Sequence, residues 1–184
     1  MNFKLARMVL FLTYNTELNR TALNKLLFFS DVAYCLSNYK KIISIENYSE
    51  EDYIISRDRY FKKRYGPVPE SIEDVRNYLI ANKFLIEKTY STGYVYQYGY
   101  LTSEKIIEKK LNDSFEEKEL ECLINVRKNL SIKPSGYLSE MSHEFEPWKS
   151  AKNWNEELKF DKVRCDTDLI NWLKEMNVLN NDFE

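Results

Sequence analysis

The strongest constraint on the fold lies at the start of the chain, where two helical patterns follow one another, the first apolar over most of its circumference. Phe3, Ala6, Val9, Leu10 and Thr13 recur at helical spacing, and Met8, Phe11 and Leu12 widen that face. A helix that is apolar around most of its circumference has to be covered on most sides. Asn15 to Arg20 form a polar break, after which Leu23, Leu26, Leu27, Ser30, Ala33 and Tyr34 outline a second helix. The 184 residues, 43% apolar and 15% aromatic, supply enough material for one core, and four glycines with four prolines argue against a long disordered arm.

The apolar run from Leu5 to Tyr14 is bounded or interrupted by Lys4, Arg7, Asn15 and Glu17. It falls well short of the roughly 20 apolar residues that span a bilayer, so no membrane association is expected. No small-residue cleavage site follows it, and it reads as a buried helix rather than a leader. Cys35, Cys122 and Cys165 are odd in number and widely spaced, which suggests neither a disulfide framework nor a metal or redox pair. Reduced cysteines place the chain in the cytoplasm.

Further along, Tyr53 to Tyr60 has the composition of a short strand. Gly66, Pro67 and Pro69 predict a turn, because prolines lack the donor a regular ladder uses. Ser71 and Asp74 resemble a capping box opening a helix to about Asn82, with Ile72, Val75, Tyr78 and Leu79 buried. Phe84 to Tyr100 is the best hairpin signal, with Tyr94, Tyr96, Tyr98 and Tyr100 in alternation around a turn at Ser91-Thr92-Gly93. Helices are expected after Thr102, from about Ser114 to Leu130, around Tyr137 to His143, and from about Asp168 to Met176. Residues 37 to 50 read as a polar connection. The predicted class is α+β, a compact helix-rich single domain with one β-hairpin and one additional short strand.

Catalytic patterns are weak. His143 is the sole histidine, and nothing near Ser139 or Ser142 marks a nucleophile elbow. The adjacent acid pairs, Glu50/Glu51, Glu73/Asp74 and Glu116/Glu117, point in different directions on a helix. No glycine-rich phosphate cradle is present. No catalytic residue, cofactor or metal ligand is therefore assigned, and the chain is not read as an enzyme.

Charge points to a surface instead. Residues 1–100 carry 14 Lys/Arg against 11 Asp/Glu, and the remainder carries 13 against 18. The densest basic cluster is Arg57-Asp58-Arg59-Tyr60-Phe61-Lys62-Lys63-Arg64, five positive charges and one negative. On a strand, Arg57 and Arg59 would share a face, with Lys62 to Arg64 at its end. Three readings stay open for it: a solvated strand edge that discourages pairing, a protein contact, or a nucleic-acid contact. The helix before the hairpin carries Arg76 and Lys83 but also Glu73 and Asp74, a poor surface for a polyanion.

Three segments together resemble the SocA-like Panacea antitoxin domain, a family that includes phage-associated proteins. They are Leu23-Asn24-Lys25-Leu26-Leu27-Phe28-Phe29-Ser30-Asp31, Lys63-Arg64-Tyr65-Gly66-Pro67-Val68-Pro69, and Leu138-Ser139 with Ser142-His143 and Pro147-Trp148. Ser30 departs from the alanine common before the aspartate. The resemblance spans about residues 4 to 150; the expected domain is 1–184, with a less diagnostic helical region after about 150.

The resemblance implies an antitoxin that binds and neutralises a cognate toxin protein, either directly or as an adaptor that delivers it to a protease. Its principal alternative is a winged-helix-like DNA-binding transcriptional regulator, with DNA the less favoured partner. The candidate structural or partner-binding residues are Lys25, Asp31, Arg57, Arg59, Tyr60, Lys63, Tyr65, Gly66, Pro67, Val68, Pro69, His143 and Trp148. Lys25 is expected to reach a buried carboxylate or a helix end, and Asp31 to fix a helix terminus. The Gly66 to Pro69 loop is expected to be rigid, with His143 and Trp148 closing the distal side of the core.

Overall fold

The computed structural model describes residues 1–38, 53–91, 93 and 96–179. Helix α1 (Phe3–Leu12) is capped by Asn2, whose side chain accepts from the Leu5 N–H. A two-residue strand, β1 (Leu18–Asn19), leads into α2 (Arg20–Ser37), where the Asn19 side chain accepts from Ala22 N–H. Every residue of α2 from Ala22 to Ala33 is buried, so this helix has no solvent face over three turns.

The cover comes from all parts of the chain. A first hairpin, β2 (Tyr60–Lys63) with β3 (Gly66–Pro69), lies against α2. Helix α3 (Ile72–Ala81) follows, then strands β4 (Leu85–Ser91) and β5 (Tyr96–Thr102). These two form an antiparallel sheet in the order β1-β5-β4, with Leu18 opposite Tyr100. Helices α4 (Glu108–Asn112), α5 (Glu117–Leu130), α6 (Ser135–Glu144) and α7 (Glu146–Ser150) come next. A 3-10 turn (Phe160–Cys165) and α8 (Thr167–Glu175) complete the described elements. Helix α2 contacts α1, β1, β3, β5, α5, α6 and the 3-10 turn.

The α+β class holds. Expected helices are present at α1, α2, α3, α4, α5, α6 and α8, and the second hairpin lies where its alternation put it. Along β5 the tyrosine stripe runs from exposed Tyr96 and Tyr98 to buried Tyr100; Thr92, Tyr94, Val95 and the 37–50 connection, apart from residues 37 and 38, lie outside the described residues. Among the described residues no helix is long and apolar enough to cross a membrane.

Four local expectations fail. The strand does not run from Tyr53 to Tyr60 but starts at Tyr60; residues 53–56 are buried without ladder pairing, and Arg57 has a positive φ of 50°. Pro67 and Pro69 do not form the turn; they sit within β3, opposite Lys62 and Tyr60. Those two residues direct their backbone groups the other way, to residues 155–158: Lys62 N–H donates to Glu156 O at 2.9 Å and Leu158 N–H to Tyr60 O at 2.8 Å. The prolines therefore face away from β2 at non-hydrogen-bonded positions, where a missing N–H costs the ladder nothing.

The Ser71–Asp74 box is also absent, because the Ser71 hydroxyl and N–H both turn to Asp58. The reciprocal box occurs at α5 instead, between Glu116 and Glu119. Finally, Tyr78 is exposed, and the long side chain of Arg76 fills α3's buried face with Ile72, Val75 and Leu79.

Phe28 joins α2 to two of the regions that cover it. Its ring lies 5.4 Å from Phe29, 5.6 Å from Tyr60 on β2 and 5.9 Å from Phe160 in the 3-10 turn. We predict that Phe28→Ala costs about 3–5 kcal/mol, a large share of the roughly 5–15 kcal/mol of a typical domain. Urea denaturation followed by circular dichroism measures it, and a loss below about 1 kcal/mol would contradict this central position.

Candidate partner-binding hairpin

The β2–β3 hairpin carries most of the candidate residues, and α2 determines where it sits. Lys25 and Asp31 are six positions apart on α2, which turns them about 240° from each other around the helix. Each reaches a different part of the chain around the hairpin. Lys25, 1% exposed, donates from Nζ to the Pro67 carbonyl at 2.9 Å. Asp31 accepts from Ser56 N–H at 2.9 Å and from the Tyr60 hydroxyl at 2.8 Å. Lys25 thus bonds a strand carbonyl rather than a carboxylate or helix end. Asp31 holds the approach to β2 rather than a helix terminus.

Burial makes both anchors chemically unusual. Desolvation brings the Lys25 ammonium down to about 7. Desolvation likewise pushes the Asp31 carboxyl up to about 7, against the opposing effect of its hydrogen bonds from Ser56 and Tyr60. A buried charge without an opposite charge is costly, and losing it near neutrality lessens that cost.

Gly66 lies directly over Lys25. The loop is only Arg64 and Tyr65, neither of which has positive φ, so the chain rejoins the ladder through Gly66 at φ 101°. A Cβ there would come within 2.5 Å of Lys25 Cε and Nζ and within 2.4 Å of Ser142 Oγ. Helix α6 closes the same contact from the other side. Ser139 donates to the Tyr65 carbonyl at 2.9 Å, and Ser142 to Ser139 O at 2.7 Å. Val68 packs partly buried against the core, while the Pro69 side is closed by Glu70 N–H donating to Arg59 O at 2.8 Å.

His143 and Trp148 meet. Their rings stack at 4.2 Å with 19° between planes. Desolvation lowers the His143 pKa, and the charges of Lys25 and Lys62 push the same way. Lys62 lies over Trp148 at 4.8 Å and donates to the Trp148 and Ala151 carbonyls at 3.1 and 2.6 Å.

The basic segment does not form the face expected of it. Arg57 lies before the strand rather than beside Arg59. Arg59 is engaged by Glu70, at 3.0 Å from Nε and 2.6 Å from a terminal nitrogen, and lies 5.7 Å from the Phe61 ring. Lys62 turns inward, Lys63 bonds Asn155 Oδ1 at 2.6 Å, and Arg64 lies 5.5 Å from the Tyr65 ring.

Two aromatic side chains stand outside with the exposed basic ones. Tyr65 is 61% exposed at the hairpin tip, and Trp154 is 63% exposed on the loop that Lys63 reaches. Trp154 stands 6.0 Å from Trp148, edge to face. Sequence reasoning missed Trp154, Lys62, Ser56 and Asp58. A tryptophan in the polar run Lys152-Asn153-Trp154-Asn155-Glu156 is a usable signal of exposure; the others had none, since their partners are distant in sequence.

Two predictions follow from this geometry. Gly66→Ala should lose at least about 2 kcal/mol of stability, from strain at positive φ plus collision with Lys25. Gly136→Ala, where a Cβ meets nothing within 4 Å, should be neutral or slightly stabilising. Equal unfolding midpoints for the two variants would refute the packing argument.

The second concerns pH. Asp31 is raised from 3.8, so its stabilising contribution is full below that value and is lost as pH rises to about 7. Lys25 is lowered from 10.5, so its contribution is full above that value and is lost as pH falls to about 7. Relative to wild type, Asp31→Asn should flatten the decline on the acid side, and Lys25→Met the rise on the alkaline side. Urea midpoints across this range test it; parallel curves for wild type and both variants would rule it out.

The family model described as Antitoxin SocA-like, Panacea domain matches residues 23–149. Neither the comparison with curated proteins nor that with solved structures gave a match. The matched stretch begins on α2 just before Lys25, contains the β2–β3 hairpin, and ends just beyond Trp148. It includes Lys25, Asp31, Gly66 and Ser139, although residues 151–158, which bond the far side of β2, lie beyond it. It covers more than half of the chain, and the chain belongs to the SocA-like Panacea antitoxin family.

Proposed function

We propose that the protein is an antitoxin that binds and neutralises a cognate toxin polypeptide through the outer rim of the β2–β3 hairpin. One observation carries the reading. The hairpin is held from inside by Lys25, Gly66 and Ser139, while Tyr65 and the neighbouring Trp154 stand in solvent. A rigid support with exposed aromatic side chains favours protein contact, because the aromatic groups are ordered before the partner arrives. Lys63 and Arg64, exposed at the tip end of the hairpin, supply directional polar contacts beside it.

The region after residue 150 belongs to the same module, residues 1–184. Leu158, Phe160, Val163, Leu169 and Leu173 share one core cluster with α1 and α2, and Trp154 contributes to the rim. No catalytic step or cofactor is needed for this function. DNA binding has less support: Arg59 is matched by Glu70, and Arg76 is 2% exposed and paired with Glu73. Delivery to a protease is the form of neutralisation that leaves the toxin short-lived; direct binding leaves it intact in a complex.

The test is a pull-down from the native host to identify the toxin, then co-expression of the two, reading cell growth, the purified complex and the toxin's lifetime with and without host proteases. Tyr65→Ala and Trp154→Ala should each weaken the complex by about 2 kcal/mol, roughly thirty-fold, with circular dichroism unchanged. Folded variants that protect cells and bind as well as wild type would disprove the rim assignment. A salt-sensitive complex with operator DNA, and no protein complex, would favour the regulator instead.

A further inference from the structure

We infer that the cleft between the C-terminal half of α1 and helix α4 is a second binding site, which takes an acidic polypeptide segment centred on a bulky apolar residue. The cleft shares no residue with the hairpin rim. It is open, about 290 Å³ in volume, with Leu10, Ile106, Ile107 and Leu111 forming its apolar wall. Leu10 and Leu111 are buried, whereas Ile107 is 56% exposed at the mouth. Arg7, Lys105 and Lys110 complete the lining, and no carboxylate lines the cleft.

The three cations are exposed, and none forms an ion pair among the described residues. Arg20, Arg59, Arg76 and Lys88, by contrast, each hold a carboxylate. Glu108, the acidic residue on α4, is turned to Arg127 at 3.6 Å. Lys105 and Lys110 also stand in the part of the sequence with the acidic excess, 18 Asp/Glu against 13 Lys/Arg after residue 100. A local concentration of positive charge attracts anionic groups and so steers their association.

The chemistry of the lining selects the occupant. Positive charge alone would suit phosphates, but a nucleic-acid backbone offers nothing to the Leu10–Ile106–Leu111 wall. A lipid chain fits an enclosed tunnel better than an open cleft of this size. The volume suits one or two side chains, which matches a leucine or phenylalanine set between carboxylates. In such a pairing the apolar anchor supplies most of the affinity, and the rim charges supply selectivity and rate of encounter.

The experiment uses the full chain and a fluorescein-labelled peptide, Asp-Glu-Leu-Phe-Glu-Asp, followed by fluorescence anisotropy. Binding should weaken at least ten-fold in the double variant Lys105→Glu/Lys110→Glu, and also in Ile107→Ser. A peptide with serines in place of its Leu-Phe pair, or lysines in place of its acids, should not bind. Tyr65→Ala should bind the peptide as wild type does, which separates this site from the hairpin rim. No saturable binding to wild type up to about 1 mM, or equal binding by wild type and both cleft variants, would overturn the proposal. So would a single-stranded oligonucleotide or anionic vesicles binding in the peptide's place and being lost in the double variant.

Discussion

The hydrogen bond from Lys25 to the Pro67 carbonyl is the contact on which the arrangement of the hairpin depends. It exists because α2 is buried on all sides and still carries an ammonium group. A polar group in that position has to find a partner within the protein, since desolvation without one costs several kcal/mol. Strand β3 provides it from a carbonyl that the β2–β3 ladder does not use. Gly66 then has to lack a side chain, because Lys25 occupies the space a Cβ would take. One buried lysine thus determines the height of the hairpin, the glycine at its tip and the approach of α6.

Asp31 plays the same part on the other side of α2, holding Ser56 and Tyr60. The segment 53–56 packs as irregular buried chain because its Ser56 N–H is satisfied by a carboxylate rather than by a neighbouring strand. Asp58 continues the pattern, accepting from Arg59 N–H and from Ser71. Carboxylates replace ladder hydrogen bonds along this stretch, and the strand begins only where β3 and residues 155–158 become available as neighbours.

Fixing the inside of the hairpin leaves its chemistry on the outside. Most of the basic residues of 57–64 are engaged close by: Arg59 with Glu70, Lys62 with backbone carbonyls, Lys63 with Asn155. The aromatic residues Tyr65 and Trp154 are left as the most exposed part of this region. The α1–α4 cleft has the opposite character: its cations form no ion pair among the described residues, and Leu10 and Leu111 lie recessed behind an exposed Ile107. The two surfaces therefore suit different partners, or different parts of one partner.

Much of the fold was legible in the sequence because periodicity reports burial directly: α1, α2, the β4–β5 hairpin and the later helices all follow from apolar spacing and breakers. The motifs around Lys25, Gly66 and His143 were legible too, as a family resemblance. Their contacts were not. Pro67 and Pro69 read as turn residues because local rules cannot show which edge of a strand is unpaired, and that edge is defined only when residues 155–158 bond the far side of β2. The basic run read as a free charged face because local rules do not show its partners: Glu70, which pairs with Arg59, and the Trp148, Ala151 and Asn155 oxygens, up to 92 residues away, which accept from Lys62 and Lys63. Sequence alone determined which segments are helical and which are buried, since these depend on residue type and spacing. Tertiary structure decided which polar groups meet and which aromatics stay exposed, since these depend on partners that only the folded chain brings together.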